Sequence, residues 1–241
     1  MIKLYQTPPM WGLPNFSQAC LKLETWLRMA GIPYEAAPGD LRAAPKGKVP
    51  YILDDGELLG DSTLIIEHLK AKYGKDPDAP LGKSERAVSL AFRRMIKENL
   101  FWSTHYSRYF DDRGWPIYKS LLIQLFVPDA PAPEQERRMA EFQEYMRGQI
   151  NGHGMGRHTQ EQIYQIGVAD MTAIADFLGD KPFFMGEAPT TVDATVYGHI
   201  ANILAAPIES PLKEHGLKQP NLVRYCQRML ETFYPELAQA S

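Results

Sequence analysis

Lys48-Val49-Pro50-Tyr51-Ile52-Leu53-Asp54-Asp55-Gly56-Glu57-Leu58-Leu59-Gly60-Asp61-Ser62 is the stretch on which the fold turns. Tyr51 to Asp54 and Glu57 to Leu59 read as two short strands. Asp55-Gly56 between them suits a tight hairpin, because both residues tolerate the positive φ such a turn demands. Ser62 then opens a helix that carries Ile65, Ile66, Leu69 and Tyr73 on one face. Pro50 has no N–H to give a sheet, so the strand it opens leaves the backbone groups of Val49 available to an extended peptide. Ser62 offers a hydroxyl and helix-start N–H groups to a carboxylate, and Asp61 beside it can hold a protonated amine. Together these suit the α-amino acid head of a small peptide.

Upstream, Ile2 to Gln6 reads as a strand, and Ser17 to Ala30 as a helix with Cys20, Leu23, Leu27 and Ala30 on one face. Gly31 and Pro33 stop that helix. Tyr34 to Ala37 is a second strand. Gly39 to Lys48 is polar and irregular, with room for a short helix. The order βαβ, link, ββα predicts a mixed sheet with helices packed on it, over residues 1–75. Gly74-Lys75-Asp76-Pro77-Asp78-Ala79-Pro80 is rich in turn formers and is the expected linker.

Downstream, strand signals stop. Arg86 to Phe110, Gln135 to Gln149, Thr159 to Leu178, Val192 to Leu204 and Asn221 to Leu230 all show helical periodicity, so an all-helical domain is expected over residues 83–241. Thr190-Thr191-Val192-Asp193 has the spacing of a capping box, with Asp where Glu or Gln is usual.

Composition narrows the function. The 241 residues suit one large or two modest domains, with 44% apolar and 23% charged side chains. A net charge of -3 with scattered basic residues leaves no footprint for nucleic acid or an anionic membrane. The longest apolar stretch, around Leu121 to Val127, is far short of the roughly 20 residues a membrane helix needs. The N-terminus lacks the pattern of a secretory signal, and the two cysteines, Cys20 and Cys226, suit a reducing compartment, so a cytoplasmic protein is expected. No metal framework fits: His153 and His158 flank Gly154-Met155-Gly156-Arg157 without the spacing of a metal or phosphate motif, and the glycines read as a turn.

The ordered motifs Lys48-Val49-Pro50, Asp61-Ser62 and Thr190 to Asp193 resemble the glutathione S-transferase superfamily over nearly the whole chain. Cys20 to Tyr34, Gly152 to His158 and Gly179 to Gly186 resemble, more narrowly, its failed axon connections and metaxin-like branch. The resemblance implies an α/β thioredoxin-like N-terminal domain followed by an all-α C-terminal domain. It also implies a cis Val49–Pro50 bond and glutathione as co-substrate. In that scheme Val49 and Pro50 receive the cysteinyl unit, Asp61 and Ser62 receive the γ-glutamyl head, and Lys48 meets the glycyl carboxylate, with Lys46 and Arg42 as weaker candidates. The partners implied are glutathione, a small apolar electrophile and a second copy of the chain in a homodimer. The metaxin-like branch implies an alternative, a non-catalytic adaptor that keeps the fold as an interaction platform.

A free thiol with pKa near ~8.5 is mostly protonated at neutral pH, so a conjugating enzyme must favour the thiolate. Ser17, at the start of a helix, can do so with a hydroxyl and the positive helix end, and is the expected catalytic residue. It also suits a purely structural N-cap. Asn15 and Tyr5 are rival donors. Ser17-Gln18-Ala19-Cys20 has the spacing of a redox Cys-x-x-Cys with its first cysteine replaced, which excludes a dithiol cycle there; Cys20 itself reads as a core thiol. Trp102, Tyr106 and Tyr109 form a helical stripe that suits either core packing or an electrophile pocket, and Phe101, Phe110, Trp115 and Tyr118 share that ambiguity.

Overall fold

A computed structural model describes residues 1–238. The chain forms two compact units. One comprises Met1–Arg93, Ile174–Ala206 and the residues from Gln219 onward; the other comprises Arg94–Ala173 and Pro207–Lys218.

The first unit is built on a four-stranded sheet of β1 (Ile2–Gln6), β2 (Tyr34–Pro38), β3 (Tyr51–Asp54) and β4 (Glu57–Gly60), in the order β2-β1-β3-β4. β1 runs parallel to β2 and antiparallel to β3, and β3 pairs antiparallel with β4. A parallel pair needs a crossover, and α1 (Gln18–Met29) supplies it between β1 and β2. Alternation along β1 sends Ile2 and Leu4 to one face, where they join Ile52, Leu23, Trp26 and Leu27 of α1, and Ile65, Ile66 and Leu69 of α2 (Ser62–Tyr73). Each such buried side chain contributes about 1.5–3 kcal/mol. Tyr5 points to the other face and stacks on Tyr51 with ring centroids 4.5 Å apart.

The hairpin turn forms as its residues predict, with Asp55 and Gly56 both at positive φ. Its turn end is fastened to α2. The Asp54 carboxylate, 2% exposed, accepts from His68 Nε2 at 3.0 Å and Tyr73 Oη at 2.8 Å and pairs with Lys72 Nζ at 2.9 Å. Burial alone would raise its pKa; Lys72, His68 and Tyr73 outweigh that and hold it below the ordinary carboxylate value.

Residues 174–206 complete this unit with α8 (Thr191–Ala205). Gly198 lets α8 meet α1 backbone to backbone, since a Cβ there would lie 2.8 Å from the Gln18 carbonyl oxygen and 2.9 Å from the Lys22 nitrogen. The capping box forms at Thr190, whose N–H donates to Asp193 Oδ2 at 2.8 Å. Asp193 Oδ1 also accepts from the Phe184 N–H and the Tyr225 hydroxyl. The segment 74–80 is tied down within the same unit: Asp78, 4% exposed, accepts from Lys70 Nζ and from the Thr191 N–H.

The second unit is helical. The helix expected over 86–110 is divided: α3 (Lys83–Met95), which belongs to the first unit up to Arg93, passes through a π-helical turn at Ile96–Leu100 into α4 (Phe101–Tyr109). α6 (Ala132–His153) and α7 (Gln160–Leu178) extend or trim the expected helices by a few residues. Among the described residues three helices were not anticipated: α5 (Trp115–Phe126), α9 (Pro211–Leu217) and, in the first unit, a single turn at Pro235–Ala238. The short helix allowed for in Gly39–Lys48 does not form, as that stretch is a series of turns. Trp102, Tyr106 and Phe110 pack against Ile150, Met155 and Ile163, while Tyr109, 7% exposed, meets Tyr118 and Phe142 edge-on. Gly154 adopts a left-handed conformation and ends α6, so the His153–His158 segment is a turn. Among the described residues no three His, Cys, Asp or Glu side chains gather as a metal site, and no helix is long and apolar enough to cross a membrane.

Candidate functional site

Strand register brings the motifs together. Tyr51 pairs with Gly60, so the residues just outside that pair, Val49–Pro50 on one strand and Asp61–Ser62 on the other, lie side by side at the open end of the hairpin. The Val49–Pro50 bond is cis. Pro50 is buried and Val49 half-buried, while Lys48, Lys46 and Arg42 are exposed. Arg42 is turned toward Asp40, with Nε 3.3 Å from Oδ1, and the stem of Lys46 lies over Gly60.

Asp61 takes a positive φ of 78° and is the N-cap of α2; its Oδ1 accepts from the Thr63 N–H at 2.8 Å and the Leu64 N–H at 3.3 Å. This corrects the expectation that the helix start offers its free N–H groups to a ligand, because Asp61 itself takes two of them. Ser62, the first residue of the helix, is 7% exposed.

Sequence reasoning missed Lys22. This lysine of α1 is 5% exposed and crosses to the start of α2, where its Nζ donates to Ser62 Oγ at 3.3 Å and Thr63 Oγ1 at 2.9 Å. A lysine is almost never buried without partners for its charge. The one local signal was its place within a helix whose neighbouring positions are all buried.

Ser17 is the N-cap of α1, and its Oγ accepts from the Cys20 N–H at 3.4 Å. That contact uses an oxygen lone pair, and the same hydroxyl acts on the Cys20 thiol, whose pKa it lowers, so donation to any other sulfur would compete with that contact. Asn15 is fully buried. Its Oδ1 accepts from the Ser17 N–H and the Thr7 hydroxyl, its Nδ2 donates to the Thr7 carbonyl, and its own carbonyl accepts from Asn202. It holds the loop before α1 in place, and that loop folds back on itself through paired bonds between Met10 and Leu13. Cys20 is fully buried, and burial pushes its thiol up to about 11 against the smaller opposing effect of the Ser17 hydroxyl.

A sheet of this order, followed by helices, with a cis proline beside an acid–serine pair at a helix start, invites comparison with known proteins. The glutathione S-transferase N-terminal domain model matches residues 18–114, and the glutathione S-transferase C-terminal domain model matches residues 167–229. An isoprene-epoxide–glutathione S-transferase of Rhodococcus sp. (strain AD45) is 36% identical over 239 residues, covering 97% of this chain and 99% of that protein. The chain belongs to the glutathione S-transferase family. Within that family, failed axon connections of Drosophila melanogaster is 31% identical over 98% of this chain and 59% of its own length. Metaxin-1 of Mus musculus is 27% identical over 93% of this chain and 73% of its own. Among solved structures, the beta-etherase LigF of Sphingobium sp. strain SYK-6 superposes with a TM-score of 0.65 at 16% identity, covering 100% of this chain and 99% of that one. A glutathione transferase family member from Pseudomonas fluorescens pf-5, solved with two glutathione bound, gives 0.61 at 16% identity over 99% and 91%. These likenesses establish the thioredoxin-like and helical glutathione S-transferase fold.

Proposed function

We propose that the protein is a cytoplasmic, homodimeric transferase that joins the thiolate of glutathione to a small apolar electrophile. The reading is supported by the hairpin register, which brings Val49–Pro50, just before β3, close to Asp61–Ser62, an acid–hydroxyl pair suited to an amino acid head group. In it, Val49 pairs with the cysteinyl unit beside Pro50, Asp61 holds the γ-glutamyl amine, Ser62 its carboxylate, and Lys48 the glycyl carboxylate. Ser17 donates its hydroxyl hydrogen to the sulfur. The thiol proton leaves to solvent, the sulfur lone pair forms the new S–C bond, and the bond to the leaving group, or the C–O bond of a strained ring, breaks with its electron pair passing to the leaving group or the ring oxygen, which takes a proton from solvent. The Rhodococcus relative, whose name couples an epoxide with glutathione, supports an electrophile of that class.

The test is calorimetric titration of the purified protein with glutathione, followed by loss of free thiol in the presence of a small epoxide. Saturable binding and enzyme-dependent thiol loss are expected; failure to bind glutathione ends the reading. The second reading, a non-catalytic adaptor, is favoured by similarity to failed axon connections and metaxin-1 across nearly the whole chain. An adaptor that binds glutathione would leave the bound thiol with its solution pKa and would show no turnover.

A further inference from the structure

We infer that the last turns of α1 and the start of β2 form a second binding site, one that takes a primary ammonium carried on a short apolar chain. The inference stands apart from the glutathione reading. Ser17 caps one end of α1 and Arg28 stands in its last turn, about 16 Å away along the helix axis. A cavity of about 750 Å³ lies at that far end, within the size range of small-molecule sites. Leu27, Ile32 and Ala36 give it an apolar side, and Glu24, Arg28 and Tyr34 a polar one.

Charge and hydrogen bonding on the polar side select the ligand. The Glu24 carboxylate belongs to a residue only 6% exposed. Its Oε1 accepts from the Tyr34 hydroxyl at 2.7 Å and its Oε2 from Gln6 Nε2 at 2.8 Å. Both donors are neutral, since burial and then Glu24 itself push the Tyr34 phenol well above its ordinary pKa. Arg28 is the cation of the cluster, yet its nearer commitments are elsewhere. Its Nη1 lies 2.7 Å from Glu236 Oε1 and donates to the Phe233 carbonyl at 2.7 Å, and its guanidinium sits 4.2 Å over the Tyr234 ring. Its Nη2 stands 3.7 Å from Glu24 Oε1. Two carboxylates thus share one guanidinium, and the buried one has the more distant share, which is the costly place for an uncompensated charge. Acceptors are also in surplus. A carboxylate offers about four lone-pair sites, of which the two short bonds fill half, and Gln6 Oε1, on a side chain held against Glu24 and 8% exposed, has no partner among the described residues. A group that is positive and only donates answers both needs, and a primary ammonium has three N–H bonds and no acceptor. Its carbon chain then lies against Leu27, Ile32 and Ala36, so the ligand class is an apolar primary amine in its charged form.

The test titrates the ¹⁵N-labelled full chain at pH 7 with hexylamine, hexanol and hexanoate, which share a chain and differ in the head group; the amine is charged at that pH as a lysine is. Amide shifts read the affinity and the place. Hexylamine should give saturable shifts at Gly31, Ile32, Tyr34 and Ala36 and bind about 10- to 100-fold more tightly than hexanol, the range of a hydrogen bond to a charged group. Glu24→Gln keeps the shape of the side chain and should bring the amine down to the level of hexanol. Ala36→Trp, at an exposed position of β2, fills the cavity without touching Glu24 and should abolish binding of both; it also serves if the Glu24 variant does not fold. Absence of saturable shifts at these amides overturns the inference, as does hexanol or hexanoate binding as tightly as the amine. An amine preference that survives Glu24→Gln, or amine binding that survives Ala36→Trp, overturns it equally.

Discussion

Ser17 is seen as an N-cap and proposed as a donor to the glutathione sulfur, and the two roles can be separated by experiment. Its oxygen caps α1 through the Cys20 N–H, and its hydroxyl also lowers the pKa of the Cys20 thiol, a contact that a bound glutathione sulfur would have to displace. Ser17→Ala is expected to raise the pKa of bound glutathione by one to two units, since a hydrogen bond to an ion contributes roughly 1.5–3 kcal/mol. The thiolate absorbance near neutral pH, followed against pH, measures it. An unchanged titration would leave the residue with its cap alone. Cys20, two residues into the same helix, is expected to stay unalkylated by iodoacetamide in the native protein at pH 8, because burial holds its thiol up at about 11. Cys20→Ser should retain conjugation, read as thiol loss with a small epoxide; abolished turnover would instead indicate a reductase cycle through that sulfur. Both residues were legible in the chain, Ser17 from its place at a helix start and Cys20 from the apolar spacing with Leu23 and Leu27. Lys22 was not, because only the arrival of α2 from forty residues away gives its charge a purpose.

Elements differ in how plainly they announce themselves. The strand Ile2–Gln6 and the hairpin read directly, because alternation and an Asp-Gly turn are local signals. α5 was passed over, as its nearly continuous apolar run Leu121 to Phe126 has no clear polar face, and α9 spans seven residues, too few for a helical period to register. The π-helical turn at Ile96–Leu100 carries neither Gly nor Pro to mark it. That turn presents Asn99, whose Nδ2 donates to Asp170 Oδ2 at 2.8 Å. Burial raises the Asp170 pKa to about 6, against the smaller opposing effect of that bond. A folded pKa above the unfolded one means that the contribution to stability is fully present below the unfolded value and is lost as pH rises through about 6. Asp170→Asn, which can still accept from Asn99, should therefore stabilise the protein at pH 7 to 8, by on the order of 2–3 kcal/mol, with the gain vanishing below roughly pH 4. Chemical denaturation of both proteins across that range is the measurement, and a pH-independent difference would mean that Asp170 is not penalised when charged.

For the whole molecule, ligand binding and stability must move together. Glutathione that binds only the folded chain stabilises it by about 2.7 kcal/mol at one hundred times its dissociation constant. In a protein of this size that corresponds to a rise in Tm of roughly 5–10 °C. Differential scanning calorimetry should show this for the wild type and a smaller rise for Ser62→Ala at the same glutathione concentration; a Tm indifferent to glutathione would count against the proposed site. The proposed homodimer is tested by light scattering, which should return twice the chain mass; a single chain mass would overturn it. The overall architecture was legible because a mixed sheet followed by repeated helical periods is written in patterning. The family was legible from the motifs Val49–Pro50 and Asp61–Ser62, whereas the aromatic side chains of α4 carry no comparable signature for a substrate.

The clasp at Asp54 bears on how a ligand would enter. It fastens the turn end of the hairpin to the later part of α2, and the Tyr51–Gly60 pairing fastens the open end to the beginning of the same helix. A hairpin paired along its length and held to one helix at its turn has few ways to shift its open end relative to that helix. If glutathione binds there as proposed, the entropy of ordering would fall mainly on the incoming peptide instead of on the protein.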